Sequence, residues 1–275
     1  AQRARTGDEK ALEKLNTWLA DWCAKNPAYL GPNWKCGQEA AIRVIHLALS
    51  ARFLDQDTAP APDLVNLIQA HLQRIAPTTS YAIAQNNNHA TSEAAGLFIG
   101  GSWLEKQKIK QAENWTRQGR KILENRVKKL IAPDGSFSQH SVTYHRLMLD
   151  TLSIVEIWRQ WYGLAAFSQT FYNRARAAAY WLYAMVQPEN GDAPNLGSND
   201  GANLIPLTDA DYRDFRPSVL LAMNVFRGLD NGTKGLRDDR TTGLQDYWTT
   251  GLRDDRTTGL QDYRTTGLRD DRTTG

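Results

Sequence analysis

Four stretches of this 275-residue chain gather polar groups where packing alone would not ask for them: NWKCGQEAAIR (33–43), QNNNHATSE (85–93), DGSFSQHSVTYHR (134–146) and GDAPNLGSNDG (191–201). Together they supply amides and an imidazole (Asn87, Asn88, His89), a phenol (Tyr144), a second imidazole beside a guanidinium (His145, Arg146), the pair Glu39 and Arg43, and a Gly-rich loop with Asp192, Asn199 and Asp200. Such groups hold anions and move protons. Each stretch lies at or near an expected helix end, where unpaired backbone donors and easy access let side chains converge on one cavity. Each also has a plainer reading. Asn86–Asn88 can form a turn with Thr91 or Ser92 capping the next helix, Tyr144 can be an aromatic anchor, and Glu39 with Arg43 a surface ion pair at i,i+4. No Cys and His spacing makes a zinc site, no glycine loop has phosphate-binding form, and no Ser, His, Asp order suggests a hydrolase, so neither metal nor cofactor is expected.

The elements that must position these groups read as helices. Apolar residues recur at helical spacing in 11–26, 36–54, 62–76, 92–104, 110–131, 144–163, 168–186 and 209–226, and strand signals are almost missing. Successive amphipathic helices without βαβ alternation predict an all-α fold of antiparallel hairpins, with a toroid whose inner helix ends surround a cleft as its closed form. Of nine tryptophans, Trp34, Trp103, Trp158, Trp161 and Trp181 could stack on sugar rings but, at helical spacing, are read as core. A net charge of +3 and a pI near 8.8 are too weak to argue for nucleic acid but suit a cleft that attracts an anionic substrate. No stretch approaches the roughly 20 apolar residues of a membrane span. Cys23 and Cys36 are expected as two buried thiols rather than a bridge. The start, AQRARTGDEK, carries no charged and then apolar leader, so the compartment stays open: periplasmic or secreted if a leader was lost upstream.

From Thr233 the composition changes to a strict octad, TTGLRDDR alternating with TTGLQDYR and its variants. The eight-base unit AGGACTAC read through successive frames encodes RTTGLQDY, so we read 233–275 as a translated DNA repeat, expected to be largely disordered, and 1–232 as the helical domain.

NNNHATSEAAGLFIGG, DGSFSQHSVTYHRLMLD and GDAPNLGSNDG resemble the signature segments of the heparinase II/III-like polysaccharide lyases, which include alginate lyases, and NWKCGQEAAIRVIHLAL resembles their tryptophan and Glu-x-x-x-Arg helix. The likeness runs in order from about Asn33 to Asp211. It implies an incomplete (α/α) toroid followed by a β domain, and here it stops where the octads begin. It further implies β-elimination on an acidic, uronate-containing polysaccharide: removal of the C5 proton loads charge onto the neighbouring carboxylate, which donors must neutralise. Asn88 and His89 match those donors and Tyr144 the catalytic tyrosine. Asn87, Glu39, Arg43, His145 and Arg146 take substrate-binding or supporting roles, with Arg43 facing the acid groups. A missing β domain would remove one wall of the cleft, giving low turnover and self-association through the uncovered surface. The alternatives are an inactive remnant or a helical glycan-binding or interaction domain.

Overall fold

Local chemistry starts the helices. The structure, a computed structural model, describes residues 1–204, 206 and 208–227, so the octad repeat lies outside the described residues. After the short α1 (Gln2–Arg5), α2 (Glu9–Lys25) begins where the Asp8 carboxylate accepts from the Ala11 amide at 3.0 Å. A 3-10 turn, Pro32–Trp34, leads into α3 (Gly37–Phe53), and α4 (Pro62–Ile75) opens on a proline. α5 (Thr79–Ala84), α6 (Asn88–Lys106) and α7 (Ala112–Leu130) follow, then α8 (Val142–Trp161), α9 (Gln169–Met185) and α10 (Arg216–Phe226).

Two boundaries depart from expectation. α6 starts at Asn88 rather than Ser92, because the Asn87 side chain accepts from the His89 amide and caps the helix four residues earlier. α10 starts at Arg216 rather than Asp209, because the carboxylates of Asp211 and Asp214 bind the amides of Arg213 and Arg216 and hold 211–216 in turns. The cysteines are free, but Cys23 is exposed and Cys36 half-buried, so the expected burial fails for both.

α6 is the hub, buried without interruption from Ala90 to Leu104 and packed against α3, α4, α5, α7 and α8. A helix apolar on every face belongs inside, and its glycines admit the neighbours. A Cβ on Gly96 would stand 2.8 Å from that of Ala41 in α3, and one on Gly101 would stand 2.7 Å from the Thr116 amide of α7. α8, almost wholly buried from Val142 to Glu156, is the second inner helix, covered by α9 and α10. The fold is all-α, with one isolated bridge, Ile131 to Phe137, in place of strands among the described residues. No described helix is long and apolar enough to cross a membrane.

Candidate functional site

The starts of the two inner helices carry the candidate residues. At the start of α6, Asn88 is 1% exposed; its amide N–H donates to Gln139 Oε1 at 2.9 Å, and its side-chain Nδ2 finds no hydrogen-bond partner in the protein. An unpaired buried donor costs about 1–3 kcal/mol, and this one sits where the helix dipole favours negative charge. His89 beside it is half-buried, and Asn87 is engaged as the cap. One turn on, the Glu93 carboxyl packs on bare backbone, since a Cβ on Gly37 would meet its Oε1 at 2.5 Å. Burial pushes the Glu93 pKa up to about 7, against the pull of His89 and Arg74. Gln38 donates to Ser92 Oγ at 3.2 Å, so the 33–43 segment joins the 85–93 segment here.

At the start of α8, Ser141 Oγ caps the helix by accepting from the Tyr144 amide and donates its own proton to the Ser198 carbonyl at 2.6 Å. The Val142 amide donates to the Leu196 carbonyl at 3.1 Å, and Gly197, at φ 72°, lies so close that a Cβ there would stand 2.3 Å from the His140 carbonyl. The 191–201 loop is thereby seated on the helix start. Its Asp200 accepts the Tyr144 phenol proton at 2.7 Å. That bond, with burial behind it, raises the Tyr144 pKa to about 12; the same bond lowers that of Asp200, against the effect of burial. Gln139 and Ser141 thus tie all three later segments together within one loop.

The neighbours of Tyr144 point elsewhere, as successive helical residues must. His145 is buried, stacked on Trp181 with centroids 4.6 Å apart and bonded through Nε2 to the Ala178 carbonyl; burial drives its pKa down to about 4. Arg146 is 2% exposed, donates to the carbonyls of Tyr212 and Ala202, and lies over the rings of Tyr212 and Phe215. Its neighbour Asp150, fully enclosed, is raised to about 7 by burial.

Arg43 follows the same pattern. Its Nε donates to His71 Nε2 at 3.0 Å, its terminal nitrogen to the Asn33 carbonyl, and its plane lies near the rings of Trp22 and Trp34. Glu39, one turn away, is exposed. Arg74 binds the carbonyls of Trp34 and Lys35, Arg126 that of Ile83 beside the Asn86 side chain, and Arg213 that of Ala193. These arginines, with Arg146, clamp the backbone of loops. Gln139, Glu93 and this clamping role were missed from the sequence; the only signal for Gln139 was its place inside DGSFSQHS. Among the described residues no group of three His, Cys, Asp or Glu side chains is placed to hold a metal ion.

Buried inner helices whose polar starts are joined by clamped loops define an all-α domain with its candidate residues at helix ends. The chain matches the family described as Heparinase II/III N-terminus over residues 2–208, and it belongs to that family. A heparin-sulfate lyase of Pedobacter heparinus is 28% identical over 167 residues, which are 58% of this chain and 24% of that protein. Crystal structures of heparinase III and of a heparan sulfate lyase mutant from Pedobacter heparinus share the fold, with TM-scores of 0.54 and 0.55 at 19% and 18% identity. They are covered over 30% and 36% of their own length, by 70% and 90% of this chain. The chain therefore spans about a quarter to a third of these relatives.

Proposed function

We propose that this chain carries the helical part of a polysaccharide lyase that cleaves uronate-containing acidic glycans, heparan-type chains or alginate, by β-elimination. The carrying observation is the unpaired, buried Nδ2 of Asn88 at the α6 N-terminus, a donor suited to the carboxylate of the sugar losing its proton. Charge developing on that carboxylate is stabilised by a donor already in place, the arrangement that lowers such barriers most.

His89 takes the C5 proton, the electron pair left on C5 forms the C4–C5 double bond, and the C4–O4 bond breaks. Tyr144 hands its proton to the departing O4. The Asp200 carboxylate favours the neutral phenol, which suits a proton donor and opposes a tyrosinate base; a sugar alkoxide is a stronger base than a phenolate whose acid lies near 12. His89 and Tyr144 then return to their starting states through water. Arg146 and Arg43 act behind the site, fixing the loops that carry Asn199, Asp200 and Trp34. The test of substrate class is a panel of alginate, heparan-type and glucuronan chains followed by absorbance of the unsaturated uronate product. Product from at least one uronate glycan, and none from a neutral glycan, is expected; cleavage without an unsaturated product would replace elimination with hydrolysis.

A further inference from the structure

We propose that the loop from Tyr29 to Lys35, backed by Arg74, is a subsite that binds an acidic pyranose of the glycan beside the reacting sugar; this rests on the lyase reading above. A concavity of about 510 Å³ is lined by Tyr29, Gly31, Pro32, Trp34, Lys35 and Arg74, within the range of small-ligand sites. It borders the reaction site through sequence and space: Gly37 packs on Glu93, and Arg74 acts electrostatically on the same carboxyl.

The loop is built rather than merely exposed. Three successive carbonyls, those of Asn33, Trp34 and Lys35, each accept from an arginine, Arg43 for the first and Arg74 for the other two. Tyr29 stands in the left-handed backbone region at φ 68°, a conformation a bulky residue keeps only when its surroundings impose it, and such residues gather at ligand clamps. Its hydroxyl donates to Gln73 Oε1 at 2.8 Å and its ring meets Trp34 at a 5.4 Å centroid distance, yet 51% of the residue is exposed. The result is a rigid aromatic face beside the exposed Lys35 ammonium. A ring face and a cation side by side recognise a sugar that presents one apolar face and one carboxylate or sulfate.

The experiment is calorimetric titration of the full chain, in a Tyr144→Phe background that stops cleavage, with short heparan sulfate oligosaccharides and their chemically desulfated forms. Tyr29→Ala should weaken binding about tenfold and Lys35→Gln roughly threefold with a shallower salt dependence, while Tyr29→Phe stays near the parent. Equal losses on both ligands assign the carboxylate to Lys35, and a Lys35→Gln loss confined to the sulfated ligand assigns the sulfate; either supports the subsite. Unchanged affinity in Tyr29→Ala and Lys35→Gln overturns it and leaves the lyase reading standing. Binding lost in Tyr29→Ala, in a protein whose unmutated form makes no unsaturated product, upholds the subsite and overturns the lyase. A parent that binds neither ligand overturns the subsite for heparan-type chains, and the lyase reading, which also admits alginate, is then decided by the substrate panel above.

Discussion

At the scale of single residues, the pairing of Tyr144 with Asp200 sets a sign that can be measured. A carboxylate accepting the phenol proton holds the neutral form, so Asp200→Asn should bring the Tyr144 pKa down from about 12 toward the usual 10. Tyrosinate absorbance against pH, with Tyr144→Phe as the reference, reads this directly; an unmoved titration would break the pairing. Glu93 gives a second test. Its carboxyl, raised to about 7 when folded from 4.5 when unfolded, keeps its proton in the native state while the unfolded chain has lost it. Its contribution to stability is therefore fully present below 4.5 and is lost as the pH rises to 7. Glu93→Gln, neutral throughout, should gain on the parent across that window by several degrees of Tm. A constant Tm difference from pH 4.5 to 7 would mean that Glu93 is not protonated in the folded protein. The candidate residues stood out in the sequence because four motifs stand in order. The contact of Tyr144 with Asp200 was not, since no local pattern records which loop folds back onto a helix start. The arginines misled for a clear reason: their partners are backbone carbonyls, which every residue has, so sequence offers no sign of whether a guanidinium faces a ligand or a loop.

Among the elements, α6 and α7 pack backbone to backbone. A Cβ on Gly119 would stand 2.5 Å from the Phe98 amide nitrogen and 2.6 Å from the Ala94 carbonyl, both backbone atoms that no rotamer change can move. Gly119→Ala should cost about 1–3 kcal/mol and lower Tm by roughly 3–10 °C. Gly163→Ala, whose Cβ meets nothing within 4 Å but whose φ is +61°, reports backbone strain without crowding, whereas Gly119 lies inside a helix and reports crowding. A Gly119→Ala protein as stable as the parent would show that the two helices can part without loss. Helical periodicity disclosed the long helices, most of them to within a few residues, because amphipathic faces and proline starts leave a local record. The errors fell where side chains compete for backbone groups: Asn87 capping ahead of Thr91 and Ser92, and Asp211 and Asp214 holding a turn where periodicity ran on. The run AAGLFIGG looked like a helix of small residues, and its function as the hub's contact surface emerges only from packing on α3 and α7.

For the whole molecule, the four polar segments are spread along the chain from residue 33 to residue 201, and two inner helices bring their ends together through Gln38, Gln139 and Ser141. Clamped loops hold them there, and under the proposed function this is the preorganisation that stabilising a developing charge requires. The central claim is that Asn88 receives the uronate carboxylate and Tyr144 protonates the leaving oxygen. The most direct measurement is the rate of unsaturated uronate formation by the full chain, Asn88→Ala and Tyr144→Phe, on whichever uronate glycan the chain cleaves fastest, with circular dichroism to show that all three are folded. A measurable rate is expected in the parent, reduced by about 100 to 1000 fold in Asn88→Ala and abolished in Tyr144→Phe. Folded variants that cleave at the parent's rate, or a parent that yields no unsaturated product from any uronate glycan, would contradict it.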